Sequence, residues 1–213
     1  MNGSANRASS RKERKPFELI GGNAALDLVN TLDWRFREEP PPEELMTDYE
    51  DLAHFAAQSR LVGDASARRL IRNVSESKAA QVVAAVRELR EAAALVLYAA
   101  LDGDEAHAST IATLEGYFKR ARQAQRLREV AGKLEWTFAQ SDSLPELPLW
   151  LLSLSAAELL ISDEMDRVRA CGNDECRWLF LDTSKNHTRR WCDMKICGNR
   201  MKARRFKAQH ARR

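Results

Sequence analysis

The sequence predicts a mainly α-helical protein: a helical N-terminal domain with a small β-hairpin, then a small C-terminal module in which a β-hairpin and a basic helix surround four cysteines. Three observations carry that expectation. Apolar residues recur at helical spacing through most of the chain before Ile161. All four cysteines fall between positions 171 and 197, and positive charge collects at the same end. At 213 residues, with 44% hydrophobic and 31% charged residues, the chain suits one ordinary core plus an appendage and is too apolar for wholesale disorder.

Residues 1–15 are polar and without periodicity, and they read as a disordered basic arm. Phe17 to Ile20 is a candidate short strand, and Gly21-Gly22 turns the chain into a short helix over Asn23 to Thr31. Pro40-Pro41-Pro42 reads as a linker. Thr47 followed three residues later by Glu50 has the pattern of a capping box ahead of Leu52, Phe55 and Ala56, which starts a helix. A further short helix follows Asp64. Ser77 is placed to cap a long helix in which Val82, Val86, Leu89, Ala93 and Val96 form one apolar stripe. After Ser109 or Thr110, the spacing of Ile111, Leu114, Phe118 and Ala121 repeats that stripe. Leu134, Trp136 and Phe138 then alternate with polar residues behind an Ala131-Gly132 turn, which predicts a β-hairpin. Pro148 suits the first helical position of an apolar helix running to Ile161, and no run is long enough to span a membrane.

The cysteines are spaced C-x4-C-x15-C-x4-C: Cys171, Cys176, Cys192 and Cys197. Two close pairs on either side of a loop suit one tetrahedral ion held by four thiolates, and a closed sulfur shell favours a structural zinc, with iron as the alternative metal. Disulfides fit poorly with a chain expected to stay in the cytoplasm, and neither pair has the C-x-x-C spacing of thiol redox enzymes. Arg177 to Leu181 is a β-prone run that can cover the metal. The stretch after Cys197 is rich in helix formers, so the module reads as treble-clef-like: a hairpin and a helix around the ion.

The net charge of +3 hides a partition. From Arg167 onward, 14 basic residues face four acidic ones, a balance of +10, whereas the preceding 166 residues carry −7. A cationic end on an acidic body suggests a polyanionic partner. The candidate contacts are Arg189, Arg190, Lys195, Arg200, Lys202, Arg204, Arg205 and Lys207. On the terminal helix Arg200, Arg204 and Lys207 share one face, with Lys202 and Arg205 well around from them. In the helical domain Asp27, Asn30 and Thr31 are the polar groups most suited to line a ligand pocket, although capping or buried hydrogen bonding is the commoner use of such residues. No phosphate loop, nucleophile elbow or H-E-x-x-H pair occurs, so an enzyme is not expected.

The strings Cys171-Gly-Asn-Asp-Glu-Cys176, Trp178-Leu-Phe-Leu-Asp-Thr-Ser184, Arg189-Arg-Trp-Cys-Asp-Met194 and Cys197-Gly-Asn-Arg200 closely resemble the CGNR zinc finger. Gly21-Gly22, Ala25-Leu-Asp-Leu-Val-Asn-Thr31 and Ser155-Ala-Ala-Glu-Leu-Leu160 resemble the ABATE domain that usually precedes that finger. The resemblance implies a helical ABATE-like domain over 16–166 and a finger over 167–213, with the four cysteines as zinc ligands. It further implies a bacterial stress-induced transcription regulator; the N-terminus has no apolar core of a secretory signal, so the chain is expected in the cytoplasm, and at the nucleoid if it binds DNA. The expected partner is double-stranded DNA, with a small-molecule effector and a homodimer as candidate additions. A zinc-stabilised protein-interaction module or an RNA-binding module is the alternative.

Overall fold

The computed structural model describes residues 14–139 and 143–210. The expected N-terminal arm therefore lies outside the described residues as far as position 13. Arg14, at its end, pairs with Asp48 at 2.8 Å, Glu50 at 3.0 Å and Asp51.

Helix α1 (Ala24–Val29) follows the Gly21-Gly22 turn and is capped by Asn23, whose side chain accepts from Ala25 N–H. Ala25 to Val29 are all buried. The proposed strand at Phe17 to Ile20 does not form, because no described strand lies beside it. Its backbone is held instead by the Gln58 amide, which accepts from Phe17 N–H at 2.9 Å and donates to Phe17 C=O. Two two-residue strands, β1 (Leu32–Asp33) and β2 (Glu43–Glu44), pair antiparallel, so the triple proline sits in the loop joining them.

Helix α2 (Tyr49–Gln58) starts one residue later than the Thr47 pattern suggests. Asp48 is the cap, and Asp51 completes a reciprocal box with it while also accepting from Thr47 N–H at 2.9 Å. Helix α3 (Asp64–Asn73) leads to the 27-residue α4 (Glu76–Asp102), capped by Ser75 rather than Ser77 and ended by Gly103 at φ 81°. Val82, Val86, Leu89 and Ala93 are buried as expected, and Leu97 rather than Val96 completes the stripe.

Helix α5 (Ala108–Ala124) is capped by His107 and buries Leu114, Tyr117 and Ala121. Ile111 is 52% exposed. Tyr117 takes the core position because its ring packs inward while its hydroxyl reaches Glu88 Oε2 at 2.5 Å. Strands β3 (Gln125–Val130) and β4 (Lys133–Phe138) form the expected hairpin about Ala131-Gly132. Helix α6 (Leu147–Leu160), with Pro148 in its first turn, is apolar on nearly every face and packs against α5, α1 and α4.

The C-terminal module begins at β5 (Val168–Ala170), which pairs antiparallel with β6 (Leu179–Leu181). A π-turn over Met194–Gly198 then runs directly into α7 (Asn199–His210). The two-residue period of β6 decides how module and body meet. Leu179 and Leu181, with Val168, belong to the core built by α1, α2, α4, α5 and α6. Phe180 turns the other way, joining Trp178 and the four cysteines in a second cluster that includes Ile20 and Trp34. The module is thus built into the body through one face of its hairpin.

Candidate metal centre and nucleic-acid interface

The four cysteines arrive on two tight turns. In the first, between β5 and β6, Cys176 N–H and Arg177 N–H both donate to Asn173 C=O at 2.9 Å, and Cys171 N–H donates to Trp178 C=O at 2.8 Å. Gly172 lies against Arg190, where an added Cβ would stand 3.2 Å from Arg190 Cγ. In the second turn Asp193 accepts from Lys195 and Ile196 N–H, and its carbonyl accepts from Gly198 N–H at 3.1 Å. A Cβ at Gly198 would fall 2.4 Å from Met194 Sδ, so only glycine fits there without rearrangement.

The sulfur atoms lie within 4.8 Å of one another, all four residues are buried, and Cys176 Sγ stands 3.7 Å from Cys192 Sγ. A tetrahedral ion with Zn–S bonds near 2.3 Å needs S···S edges of about 3.8 Å. The cluster therefore has the size such an ion requires. Hydrogen bonds from its neighbours pull the Cys171 thiol strongly down, and hydrogen bonding to that thiolate pushes Cys176 and Cys192 up. All four sulfurs can be thiolates together only around a cation.

Asn173 and Asp182, neither singled out by sequence reasoning, complete the surroundings. Both are fully buried. Asn173 Nδ2 donates to Cys197 Sγ at 3.6 Å, the kind of outer contact that orients a ligand and tempers its charge. Asp182 accepts from Ser184 N–H at 2.9 Å, Ser184 Oγ at 2.6 Å and Arg189 N–H at 2.9 Å, closing the loop that leads to Cys192. The Asp182-Thr-Ser184 string was the available clue, since such sequences favour side-chain-to-backbone turns.

The expected cations do not form one surface. Arg189 turns inward, donating to the carbonyls of Cys192 at 2.5 Å and Trp191 at 3.2 Å with its guanidinium 4.0 Å from the centre of the Phe180 ring. Arg200 stacks 4.2 Å over Trp34 of the helical body, and Arg204 pairs with Glu175 at 3.2 Å. The face shared by Arg200, Arg204 and Lys207 is therefore turned toward the protein over its first turns. Lys202 and Arg205 look away, with exposed Phe206 beside them. Arg190, Lys195, Lys202, Arg205 and Lys207 are exposed, and α7 buries no residue.

Asp27, Asn30 and Thr31 are buried, and their polar atoms meet protein groups. Asn30 accepts from Leu179 N–H at 2.8 Å and donates to Leu179 C=O at 2.9 Å, as a strand partner would. Thr31 Oγ1 donates to Leu28 C=O at 2.7 Å and accepts from Arg90 at 3.1 Å. Arg90, 4% exposed, also grips Glu44 through two 2.7 Å bonds. Asp27 accepts from Gly21 N–H at 2.7 Å, and Gly21 C=O accepts from Leu181 N–H at 2.8 Å. Asn30 directly, and Asp27 through Gly21, join α1 to the metal-bearing hairpin, whereas Thr31 ties the end of α1 to Arg90 of α4.

Burial pushes the Asp27 carboxyl up to about 6, against the lowering effect of its backbone hydrogen bonds. Between about pH 4 and 6 the folded protein holds a proton that the unfolded chain has released. Stability contributed at this site therefore falls as pH rises through that window, by about 3 kcal/mol in all. Asp27→Asn keeps an acceptor for Gly21 and removes the charge. Urea unfolding at pH 5 and pH 8 should find the variant about 1–3 kcal/mol more stable than wild type at the higher pH, with the gap closing at the lower. An equal difference at both would show that this carboxyl ionises normally.

A helical body carrying a compact four-thiol module with a protruding basic helix defines a zinc-finger protein. Comparison with protein families agrees: residues 167–210 match the CGNR zinc finger, and residues 22–163 match the ABATE domain, described as "Putative stress-induced transcription regulator". The chain belongs to the ABATE family, with a C-terminal CGNR finger and one structural zinc ion as its cofactor. Neither match is to an enzyme family. No match was found among curated proteins. Among the described residues no helix is long and apolar enough to cross a membrane.

Proposed function

We propose that this protein is a transcription regulator that grips double-stranded DNA with its zinc module, working at the nucleoid in the bacterial cytoplasm. Cys171, Cys176, Cys192 and Cys197 hold the ion. The observation that carries the reading is α7: a helix that starts two residues after Cys197, bears five Lys or Arg residues and buries none of its side chains. A helix that buries no residue and touches the body only through Arg200 and Arg204 takes little from the protein core, so its remaining cations are kept for something outside. Its 12 residues span about 18 Å, and the width of one helix suits the major groove. Arg190, Lys195, Lys202, Arg205 and Lys207 are the phosphate contacts in this reading. Arg189, Arg200 and Arg204 brace the module that presents them. The helical domain serves as the platform, since Asp27 and Asn30 are spent on the junction and Thr31 on Arg90 within the body.

Five phosphate contacts give a slope of log affinity against log salt of about −4 to −5. For Lys202→Ala with Arg205→Ala, the slope should shrink by about 2 units with zinc content unchanged. Arg204→Ala should leave the slope nearly intact. Fluorescence anisotropy with a mixed-sequence duplex measures all three, and a flat salt response in the zinc-loaded wild type would remove the DNA reading. Tighter binding to structured RNA or to an acidic peptide at matched salt would replace it with the corresponding alternative.

A further inference from the structure

The β3–β4 hairpin projects from the core, which it touches through half-buried Phe138 at its base. It forms a two-stranded sheet, and no described strand pairs with the outer edge of either strand. One face carries Leu127, Leu134 and Trp136, exposed by 52%, 69% and 63%, with Leu127 directly opposite Trp136. An isolated hairpin is marginal in water, and open edges beside an apolar face invite further pairing. From these features we propose that two copies of this chain associate through β4, which pairs antiparallel with its counterpart about a two-fold axis at Trp136.

Backbone geometry selects the groups available. Ala131 at φ 50° and Gly132 at φ 79° make a two-residue turn, so the closing pair Val130–Lys133 is hydrogen-bonded. By alternation Leu134, Trp136 and Phe138 turn their N–H and C=O groups to the outer edge of β4.

Charge selects the strand and the register. On β3, a register centred on Leu127 sets Arg126 against Arg128, and one centred on Arg128 sets that residue against itself. On β4, centring on Glu135 opposes two glutamates. Centring on Leu134 pairs Lys133 with Glu135 but spends Trp136 on Gly132 of the turn. Centring on Trp136 opposes Trp136 to Trp136, Leu134 to Phe138 and Glu135 to Thr137. This register places no like charges directly opposite and makes one continuous apolar face from both copies.

The test uses the full, zinc-loaded chain in sedimentation equilibrium at micromolar concentration. Wild type should run at twice the chain mass, and Trp136→Lys at once the chain mass with an unchanged far-ultraviolet spectrum. Leu95→Lys, at a residue 61% exposed on α4, should leave the dimer intact. In Trp136→Cys, mild oxidation should join two chains through position 136, identified by mass spectrometry of the linked peptide. A monomeric wild type, a dimer that survives Trp136→Lys, or cross-linking at Leu134→Cys in place of Trp136→Cys would overturn the proposal. It stands apart from the nucleic-acid reading: a dimer without DNA affinity sinks only that reading, and a DNA-binding monomer sinks only this one.

Discussion

Asn30→Leu should destabilise the protein by about 2–5 kcal/mol, although it replaces one buried side chain with another of similar size. The loss comes from Leu179, which is fully buried and whose N–H and C=O both bond the Asn30 amide. Leucine leaves donor and acceptor unpaired in a place water does not reach, and each costs about 1–3 kcal/mol. Because Leu179 lies on the strand between the two cysteine pairs, zinc affinity should fall with stability. Urea unfolding followed by tryptophan fluorescence, with a chelator competition alongside, measures both. A loss under about 0.5 kcal/mol would mean that this pairing is absent in solution.

Removing the zinc should have the largest effect of all. Chelation, or Cys176→Ser, takes the ion from a module whose second core consists of Cys171, Cys176, Cys192 and Cys197 with Trp178 and Phe180. Structural zinc contributes about 10–16 kcal/mol in small finger peptides, far more than so few apolar contacts can replace. Zinc content should drop from one per chain to background, and amides of β5, β6 and α7 should lose their protection from hydrogen exchange. The α1–α6 body should retain most of its protection, since its core is made mainly by its own helices and takes only Val168, Leu179 and Leu181 as buried members from the module, with Ala170 against their edge. Full zinc content in Cys176→Ser would refute the four-thiolate site. Collapse of α4 along with the module would refute the separate body.

Most helices could be read in advance because their signal is local. Val82, Val86, Leu89 and Ala93 announce α4 at any distance from the rest of the chain, and the spacing of the cysteines announces the metal. Boundaries slipped where two residues compete for the same cap. Thr47 and Asp48 both precede α2, and the choice falls to Asp48 because Asp51 can answer it. The strands β1 and β2 are too short to display a period, and Phe17 to Ile20 has a strand-like composition but no neighbour to pair with. The largest gaps concern direction. A helical wheel tells that Arg200 and Arg204 share a face, but not that Trp34 and Glu175 stand beneath it. Likewise Asn30 reads as polar in an apolar helix, while its partner lies 149 positions downstream.

The contacts of Asn30 with Leu179, Arg200 with Trp34, and Arg177 with Asp102 at 2.6 Å leave the finger no swivel. In tethered-bead regulators a flexible string lets each reading head hunt for its own site. Here the aim of the head is set by the carcass that bears it. If, as proposed, the finger reads duplex DNA and two copies pair, the two heads would tolerate only one separation along it, so inserting half a helical turn between paired recognition elements should silence an operator that a loosely strung protein would still occupy.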